Sequence, residues 1–230
     1  ENNNIIKVFY VIDENQTKEN VYTVEYYKDG VKVDSDTQVI TETVQVLQPD
    51  TMTVNKDLIN TTNKYFGYKL DDVNTIIPDT VTSGDVIKVY YVTDEAQTKE
   101  LSYTVEYYQN GVKVEADTQT VTTTVQVLEA DTLTVNKAEI NTTNKYVGYK
   151  FDAEATGEIP GMVETGTVIR IYYVKGSFDY RVEYYYEGEK NEEATENKEA
   201  IYQEVVNEYE DKTIRGYKLE RVEGIPLTIT

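Results

Sequence analysis

The sequence predicts a mainly β, α+β protein that is built from repeats of one small domain. The stretch from Tyr22 to Gln38 returns almost unchanged from Tyr103 to Gln119, and a third, divergent copy begins at Asp179. Tyrosine, which favours strands, occurs 22 times in 230 residues, against 4 Phe and no Trp. Asp-Gly and Asn-Gly pairs interrupt alternating segments, and such pairs are typical of β-hairpin turns.

The repeats divide the chain into four predicted segments. Residues 1–16 hold a strand that matches the last strand of the repeat, followed by a polar connector. Two complete repeats follow at residues 17–97 and 98–177, and residues 178–230 form a divergent third repeat without a last strand. The connectors IDENQTKE and TDEAQTKE are alike, which predicts a constant spacing between domains in an elongated array.

Within each repeat, the elements are predicted in a fixed order. The segment YTVEYYKDGVKV alternates about Asp29-Gly30 and predicts a hairpin, and TQVITETVQVL predicts a further strand. The segment NKDLINTTNKY, with Asn55 as a capping candidate, predicts a short helix or a helical turn. GYKLD predicts a short strand. The nearly continuous apolar run VIKVYYV predicts a strand near the sheet centre that is covered on both faces.

The middle of the third copy departs from this order. Its segment NEEATENKEAIYQEVVNEYED places apolar side chains at roughly helical spacing, and this spacing predicts a helix. Those side chains are Ala200, Ile201, Val205 and Tyr209.

Composition excludes several function classes. The formal net charge of −20 argues against nucleic acid and anionic lipid as partners. The chain contains no Cys and no His, so it lacks thiolate ligands and the commonest general base and metal ligand. No apolar run approaches the length of a membrane-spanning helix. We therefore expect a protein that is not an enzyme, inserts into no membrane and uses no metal or cofactor.

The combination of motifs resembles a known family. A strand ending in VEYY, a hairpin glycine, a central GY and a terminal G-x-V-I-x-V-Y-Y-V resemble the MucBP (mucin-binding protein) repeats of Gram-positive surface adhesins. The resemblance implies tandem β-grasp-like domains on an extracellular, cell-surface or cell-wall-associated protein. It also implies adhesion to mucin or other glycans as one candidate function, without supplying binding residues.

The paired tyrosines are the candidate glycan-binding residues. In a strand, neighbouring side chains point to opposite faces, so one tyrosine of each pair is predicted in the core and one on the surface. The surface set, which could stack on sugar rings, is Tyr27, Tyr108 and Tyr185. Packing with a solvated hydroxyl is the simpler interpretation of the same residues. A Lys56–Asn60 isopeptide cross-link is a less favoured possibility, because it needs both side chains buried beside an acid.

The predicted main function is a structural stalk or filament subunit that polymerises head-to-tail. The N-terminal strand of one molecule would complete the third domain of the next by strand donation. The predicted assembly strand contains Ile5, Ile6, Val8, Phe9 and Val11, with burial expected of Ile5 or Ile6, Val8 and Phe9. The predicted acceptor strand contains Tyr180, Val182 and Tyr184. Two alternatives stay open: a longer repeat protein cut out of phase, or a third domain closed by its own PLTIT segment.

Overall fold

The computed structural model describes residues 4–230 and divides them into two compact units. The first unit extends to Lys99 and also takes in Val125–Glu129. The second contains Glu100–Thr124 and Ala130–Thr230, and so holds most of the second repeat and all of the third. The three-domain division by repeat stays a prediction. Residues 1–3 of the predicted N-terminal segment lie outside the described residues.

The first unit contains a five-stranded mixed sheet and a separate two-stranded ribbon. Its strands are β1 Thr17–Lys28, β2 Val31–Lys32, β3 Gln38–Gln45, β4 Thr51–Thr53, β5 Tyr68–Leu70, β6 Thr80–Thr82 and β7 Val86–Thr93. One edge of β1 pairs with β2 and β3, and its other edge pairs in parallel with β7, which in turn pairs with β5. The ribbon pairs β4 with β6. The parallel pairing of first and last strand is the arrangement expected of a β-grasp-like domain.

Local sequence signals of the first repeat are confirmed. Asp29 and Gly30 both adopt positive φ, 44° and 81°, as a type I′ hairpin turn requires. The predicted helical turn is a single 3₁₀ turn at Lys56–Leu58. Its cap is Asn55, whose side chain accepts a hydrogen bond from the Asp57 backbone N–H at 3.2 Å.

The core of the first unit lies on one face of its sheet. Alternate residues of β1 and β7 point into it, and those side chains are Tyr22, Val24, Tyr26, Ile87, Val89 and Tyr91. The opposite face of β7 stays open, with Val86 and Lys88 exposed and Tyr90 half-buried. The prediction that the VIKVYYV strand is covered on both faces is therefore wrong, although its central position is confirmed. The ribbon β4–β6 supplies a layer to one face only, and among the described residues nothing covers the other.

The second repeat has the same topology. Its strands are β8 Thr98–Gln109, β9 Val112–Lys113, β10 Gln119–Gln126, β11 Thr132–Thr134, β12 Tyr149–Phe151, β13 Met162–Glu164 and β14 Thr167–Lys175. The sheet order is β10-β8-β14-β12, with β9 beside β8 and with β8 parallel to β14. A short helix, α1 Ala153–Thr156, precedes Gly157, where the second repeat is one residue longer than the first. No helix among residues 4–230 is long and apolar enough to cross a bilayer.

The third copy forms strands where a helix was predicted. Its strands are β15 Ser177–Tyr186, β16 Glu189–Ile201, β17 Val205–Val206 and β18 Leu227–Thr228. The helical interpretation is wrong because β16 pairs along β15, so Ala200 turns inward while Ile201 is half exposed. Pairing with a neighbouring strand has overridden a local helical spacing. Within the described chain, β15 pairs with β16 alone.

The PLTIT segment does not close the β15 sheet. Its strand β18 pairs with β17, and Ile229 is buried there with 5% of its surface exposed. This ribbon matches the β4–β6 ribbon of the first repeat, in which Val81 has 7% exposure. The residues that correspond to β5, Tyr217–Leu219, form no strand. In the first two repeats, β5 and β12 pair with the last strand, and among residues 4–230 no such strand lies beside Tyr217–Leu219.

Candidate functional site

A pair of tyrosine rings lies on the open face of the first sheet. The parallel register of β1 and β7 places Tyr27 opposite Tyr90 and Glu25 opposite Lys88. The two ring centroids are 5.0 Å apart with an interplanar angle of 33°. The Tyr27 hydroxyl donates to a Glu25 carboxylate oxygen at 2.7 Å. Two half-buried rings therefore form an apolar platform with one fixed hydroxyl at its edge.

Charged side chains flank this platform. Lys32 Nζ lies 2.6 Å from the second Glu25 carboxylate oxygen, and Lys88 Nζ lies 5.8 Å from the centroid of the Tyr27 ring. The hydrogen bond from Lys32, with that from Tyr27, lowers the pKa of Glu25. The same carboxylate raises the pKa of the Tyr27 hydroxyl. At neutral pH the site therefore holds an ionised, fully engaged carboxylate, which is unsuited to donate a proton.

The second repeat reproduces the platform in full. Tyr108 and Tyr172 stack with centroids 4.9 Å apart and an interplanar angle of 30°. The Tyr108 hydroxyl donates to Glu106 at 2.8 Å, and Lys113 Nζ lies 2.9 Å from the other oxygen of that carboxylate. Arg170 takes the place of Lys88, with its Nε 3.5 Å from Glu106. The arrangement thus occurs twice.

The third copy contains half of the platform. The Tyr185 hydroxyl donates to Glu183 at 2.9 Å, and Lys190 Nζ lies 3.1 Å from the same carboxylate. Tyr185 is 57% exposed, and no ring contact to it occurs within the described residues. In the first two repeats the second ring comes from the last strand, which supplies Tyr90 and Tyr172. Among residues 4–230, no strand lies at that position beside β15.

Sequence reasoning found one ring of each platform and missed the other. Tyr26 and Tyr107 are buried while Tyr27 and Tyr108 lie on the open face, as the alternation predicted. Tyr90 was not predicted as a surface residue, because the run VIKVYYV was interpreted as a strand covered on both faces. Its own alternation would have placed Lys88 and Tyr90 on one face, because a charged Lys marks the exposed side of a strand.

The candidate Lys56–Asn60 cross-link site is not formed. Lys56 Nζ pairs with Asp79 at 2.6 Å, and their side chains are 53% and 90% exposed, so the buried setting of an isopeptide bond is not present. The Asn60 backbone N–H donates to the Tyr26 hydroxyl at 2.9 Å. Across residues 4–230, no three acidic side chains cluster in a way that could hold a metal ion.

The residues of the predicted assembly strand are exposed. Residues 4–12 form no strand, and Ile6, Phe9 and Tyr10 have 91%, 85% and 92% of their surface exposed. The predicted acceptor residues face a partly uncovered surface. They are half-buried, whereas their counterparts in the first repeat have at most 1% exposure. The acceptor residues are Tyr180, Val182 and Tyr184, and the counterparts are Tyr22, Val24 and Tyr26.

Solved structures provide the comparisons with known proteins. The chain is similar to repeats of the mucus binding protein MUB. The type 2 repeat of MUB from Lactobacillus reuteri matches 68% of this chain and 100% of that structure, at 16% identity and a TM-score of 0.22. The crystal structure of Mub-RV matches 68% of this chain and 99% of that structure, at 14% identity and a TM-score of 0.24. No protein-family model and no curated protein matches. The pairing of β1 with β7 and of β8 with β14 defines the fold.

Proposed function

We propose that this chain is a non-enzymatic adhesion module of the bacterial cell surface, which binds glycans on its tyrosine platforms. The observation that carries the proposal is the duplicated Tyr27–Tyr90 and Tyr108–Tyr172 pair on the open sheet faces. An aromatic face packs against the C–H face of a sugar ring, and the hydroxyl and its charged neighbours can hydrogen-bond the sugar hydroxyls. Two platforms on one chain favour ligands with repeated sugars, because linked sites gain avidity.

The net charge of the chain and the charges beside the platforms favour neutral glycans over anionic ones. With a net charge of −20, the chain disfavours polyanionic glycans at low ionic strength. The platforms carry no net positive charge either. Lys32 and Lys88 flank the first platform together with Glu25 and Asp34. Lys113 and Arg170 flank the second together with Glu106 and Glu115, so neither platform has an unbalanced cation for a sulfate. We therefore expect neutral sugars to bind better than sulfated or sialylated ones.

The test compares ring removal with hydroxyl removal. Mucin from which sialic acid and sulfate have been removed is the first glycoprotein to try, because the protein that contains the type 2 repeat is named for binding mucus. In the double variant Tyr27→Ala, Tyr108→Ala we expect binding to fall about fivefold or more, since an aromatic contact contributes about 1 kcal/mol. The matched Tyr27→Phe, Tyr108→Phe variant keeps both rings and should bind nearly as well. Equal binding by wild type and the alanine variant would refute the proposal.

A second function, a stalk or filament subunit formed by strand donation, is supported by β15, which pairs with β16 alone among the described residues and leaves Tyr180, Val182 and Tyr184 half-buried. The segment of residues 5–11 repeats the sequence of β7, and Ile6, Val8 and Tyr10 correspond to the buried Ile87, Val89 and Tyr91. A neighbouring copy would thus offer β15 the three inward side chains that the third repeat lacks. Burial of each would contribute roughly 1.5–3 kcal/mol before the cost of ordering.

The register of β7 changes the expected role of Phe9. Phe9 corresponds to Tyr90, which lies on the open face, and Tyr10 corresponds to the buried Tyr91. The donated strand would therefore bury Tyr10 rather than Phe9. Phe9 would instead stack on Tyr185 and complete the third platform. The inward Ile is Ile6, while Ile5 corresponds to the exposed Val86.

Sedimentation velocity over a range of concentrations tests strand donation in the full chain. We expect oligomers whose size grows with concentration, and we expect Val8→Asp to shift their formation to higher concentration, because it places a charge in the core of the acceptor. Lys7→Ala, on the outward face of the same segment, is the matched control and should assemble normally. A wild-type chain that stays monomeric at high concentration would exclude this second function.

A further inference from the structure

A leucine side chain covers a glycine turn in the first unit. Gly67 has a φ of +81°, and a Cβ added to it would lie 2.6 Å from two Leu128 carbon atoms. The turn is closed by a hydrogen bond from the Tyr68 N–H to the Tyr65 carbonyl at 3.2 Å. Leu128 thus occupies the space that any other residue at position 67 would need for its side chain.

Two glutamines bind the backbone of the same glycine. The Gly67 N–H donates to Gln97 Oε1 at 3.2 Å, and the Gly67 carbonyl accepts from Gln126 Nε2 at 3.2 Å. Gln126 Oε1 also accepts from the Leu128 N–H at 2.6 Å, which fixes the leucine relative to the turn. Both polar groups of the glycine are therefore recognised by side chains, while the leucine fills the space above it.

The second unit repeats this contact with a different side chain. Gly148 has a φ of +76°, and Tyr202 contacts the position that its Cβ would take. The Gly148 carbonyl accepts from the Gly176 N–H at 2.8 Å, and the Gly176 carbonyl accepts from the Tyr202 N–H at 2.9 Å. In each unit, a large side chain that follows a long strand thus covers a Gly-Tyr turn: Leu128 follows β10 and covers Gly67, and Tyr202 follows β16 and covers Gly148.

The third Gly-Tyr turn has the same shape and nothing above it. Gly216 has a φ of +93°, and the Tyr217 N–H donates to the Ile214 carbonyl at 3.1 Å. Among the described residues, no atom outside its immediate neighbours lies within 4 Å of the position of a Gly216 Cβ. Tyr217 is 51% exposed. We call this Gly216–Tyr217 turn the glycine socket.

The first repeat carries the complementary side chains in a preformed arrangement. Leu47 corresponds to Leu128, and its N–H donates to Gln45 Oε1 at 2.7 Å. Gln45 Nε2 donates to the Asp13 carbonyl at 3.2 Å, and the Val46 N–H donates to the Gln16 carbonyl at 2.8 Å. The equivalent bonds hold Gln126 to Asp94 at 3.1 Å and Val127 to Gln97 at 3.0 Å.

Among residues 4–230, this preformed arrangement covers no glycine turn. Leu47 is 73% exposed, compared with 44% for Leu128 on its glycine. We call the surface of Gln16, Gln45 and Leu47 the leucine plug. An exposed leucine fixed by its own glutamine is organised for a contact that the described residues do not provide.

We propose that the leucine plug of one molecule docks on the glycine socket of a second copy of this chain. Leu47 would cover Gly216, Gln16 would accept from the Gly216 N–H, and Gln45 would donate to its carbonyl, as their counterparts do at Gly67. The partner must present a glycine with positive φ, because a Cβ would occupy the space of the leucine. The contact is heterologous, so it links molecules head-to-tail. It does not depend on glycan binding.

Disulfide trapping tests the contact, because the chain contains no native cysteine. The full chain carrying Val46→Cys and Tyr217→Cys keeps Leu47 and should give a ladder of intermolecular disulfides under mild oxidation; Val46 neighbours the leucine and is 39% exposed. The ladder should disappear when Leu47→Asp is added. The control pair Val31→Cys, Tyr217→Cys uses a residue of the same unit with 70% exposure and should give none. Absence of the Val46→Cys ladder, its persistence with Leu47→Asp, or an equal ladder from the control would overturn the proposal.

A second background separates this docking from strand donation. Adding Val8→Asp removes the apolar strand but leaves the plug intact. A ladder that persists there shows that the plug binds by itself. A ladder that disappears only in this background assigns the association to the strand and overturns the plug as an independent surface.

Discussion

The contact between Leu128 and Gly67 predicts how much folding stability is lost when Gly67 is replaced by alanine, and Gly30 provides the matched control. Gly67 and Gly30 share a φ of +81°, but only Gly67 has a side chain on the position of a Cβ. Gly30→Ala should cost only backbone strain, about 1–2 kcal/mol. Gly67→Ala should cost the same strain and, because the new methyl displaces Leu128, a further 1–2 kcal/mol or so for overpacking.

The assay is a double-mutant cycle on the full chain. Urea unfolding is followed by tyrosine fluorescence, and segment-resolved hydrogen exchange assigns the transition to the first unit. In a Leu128→Ala background, the cost of Gly67→Ala should fall to that of Gly30→Ala, a coupling of about 1–2 kcal/mol. If the two alanine variants agree within about 0.5 kcal/mol in the wild-type background, Leu128 does not press on Gly67 and the reasoning fails.

Two further predictions concern hydrogen bonds of the first repeat. Tyr26→Phe should destabilise the first unit by about 1–2 kcal/mol, because the Asn60 N–H loses its 2.9 Å hydrogen-bond partner. Calorimetry measures this loss of stability, with Tyr27→Phe as the control because its hydroxyl is not in the core. Lys32→Gln should raise the pKa of Glu25 towards its ordinary value, since the Lys32 hydrogen bond is the main cause of its lowering. The lowered pKa of Glu25 stabilises the folded protein above the ordinary carboxyl pKa, and this stabilisation is lost as the pH falls through the pKa of the folded state. Because the folded-state pKa is higher in Lys32→Gln, the variant should lose the stabilisation at a higher pH. An NMR titration of Glu25 that is identical in both proteins would contradict the second prediction.

The repeat, the hairpins and the division of each tyrosine pair into a core and a surface member could be predicted from the sequence. These features depend on residues close together in the chain. Asp29-Gly30 needs only its own backbone angles to form a tight turn. Strand alternation then sends Tyr26 inward and Tyr27 outward whichever strands lie alongside.

The tertiary structure alone decided the second ring of each platform, the strand β16 and the covered glycines. Tyr90 meets Tyr27 because β7 pairs in parallel with β1, at a register that residues so far apart in sequence cannot reveal. The segment Glu189–Ile201 has helical spacing, yet it extends because β15 offers it a ladder of backbone hydrogen bonds. Leu128 covers Gly67 for the same reason: the contact joins residues that only folding brings together. Local patterns fix local geometry, whereas the choice of partner depends on which distant surface can be buried and hydrogen-bonded.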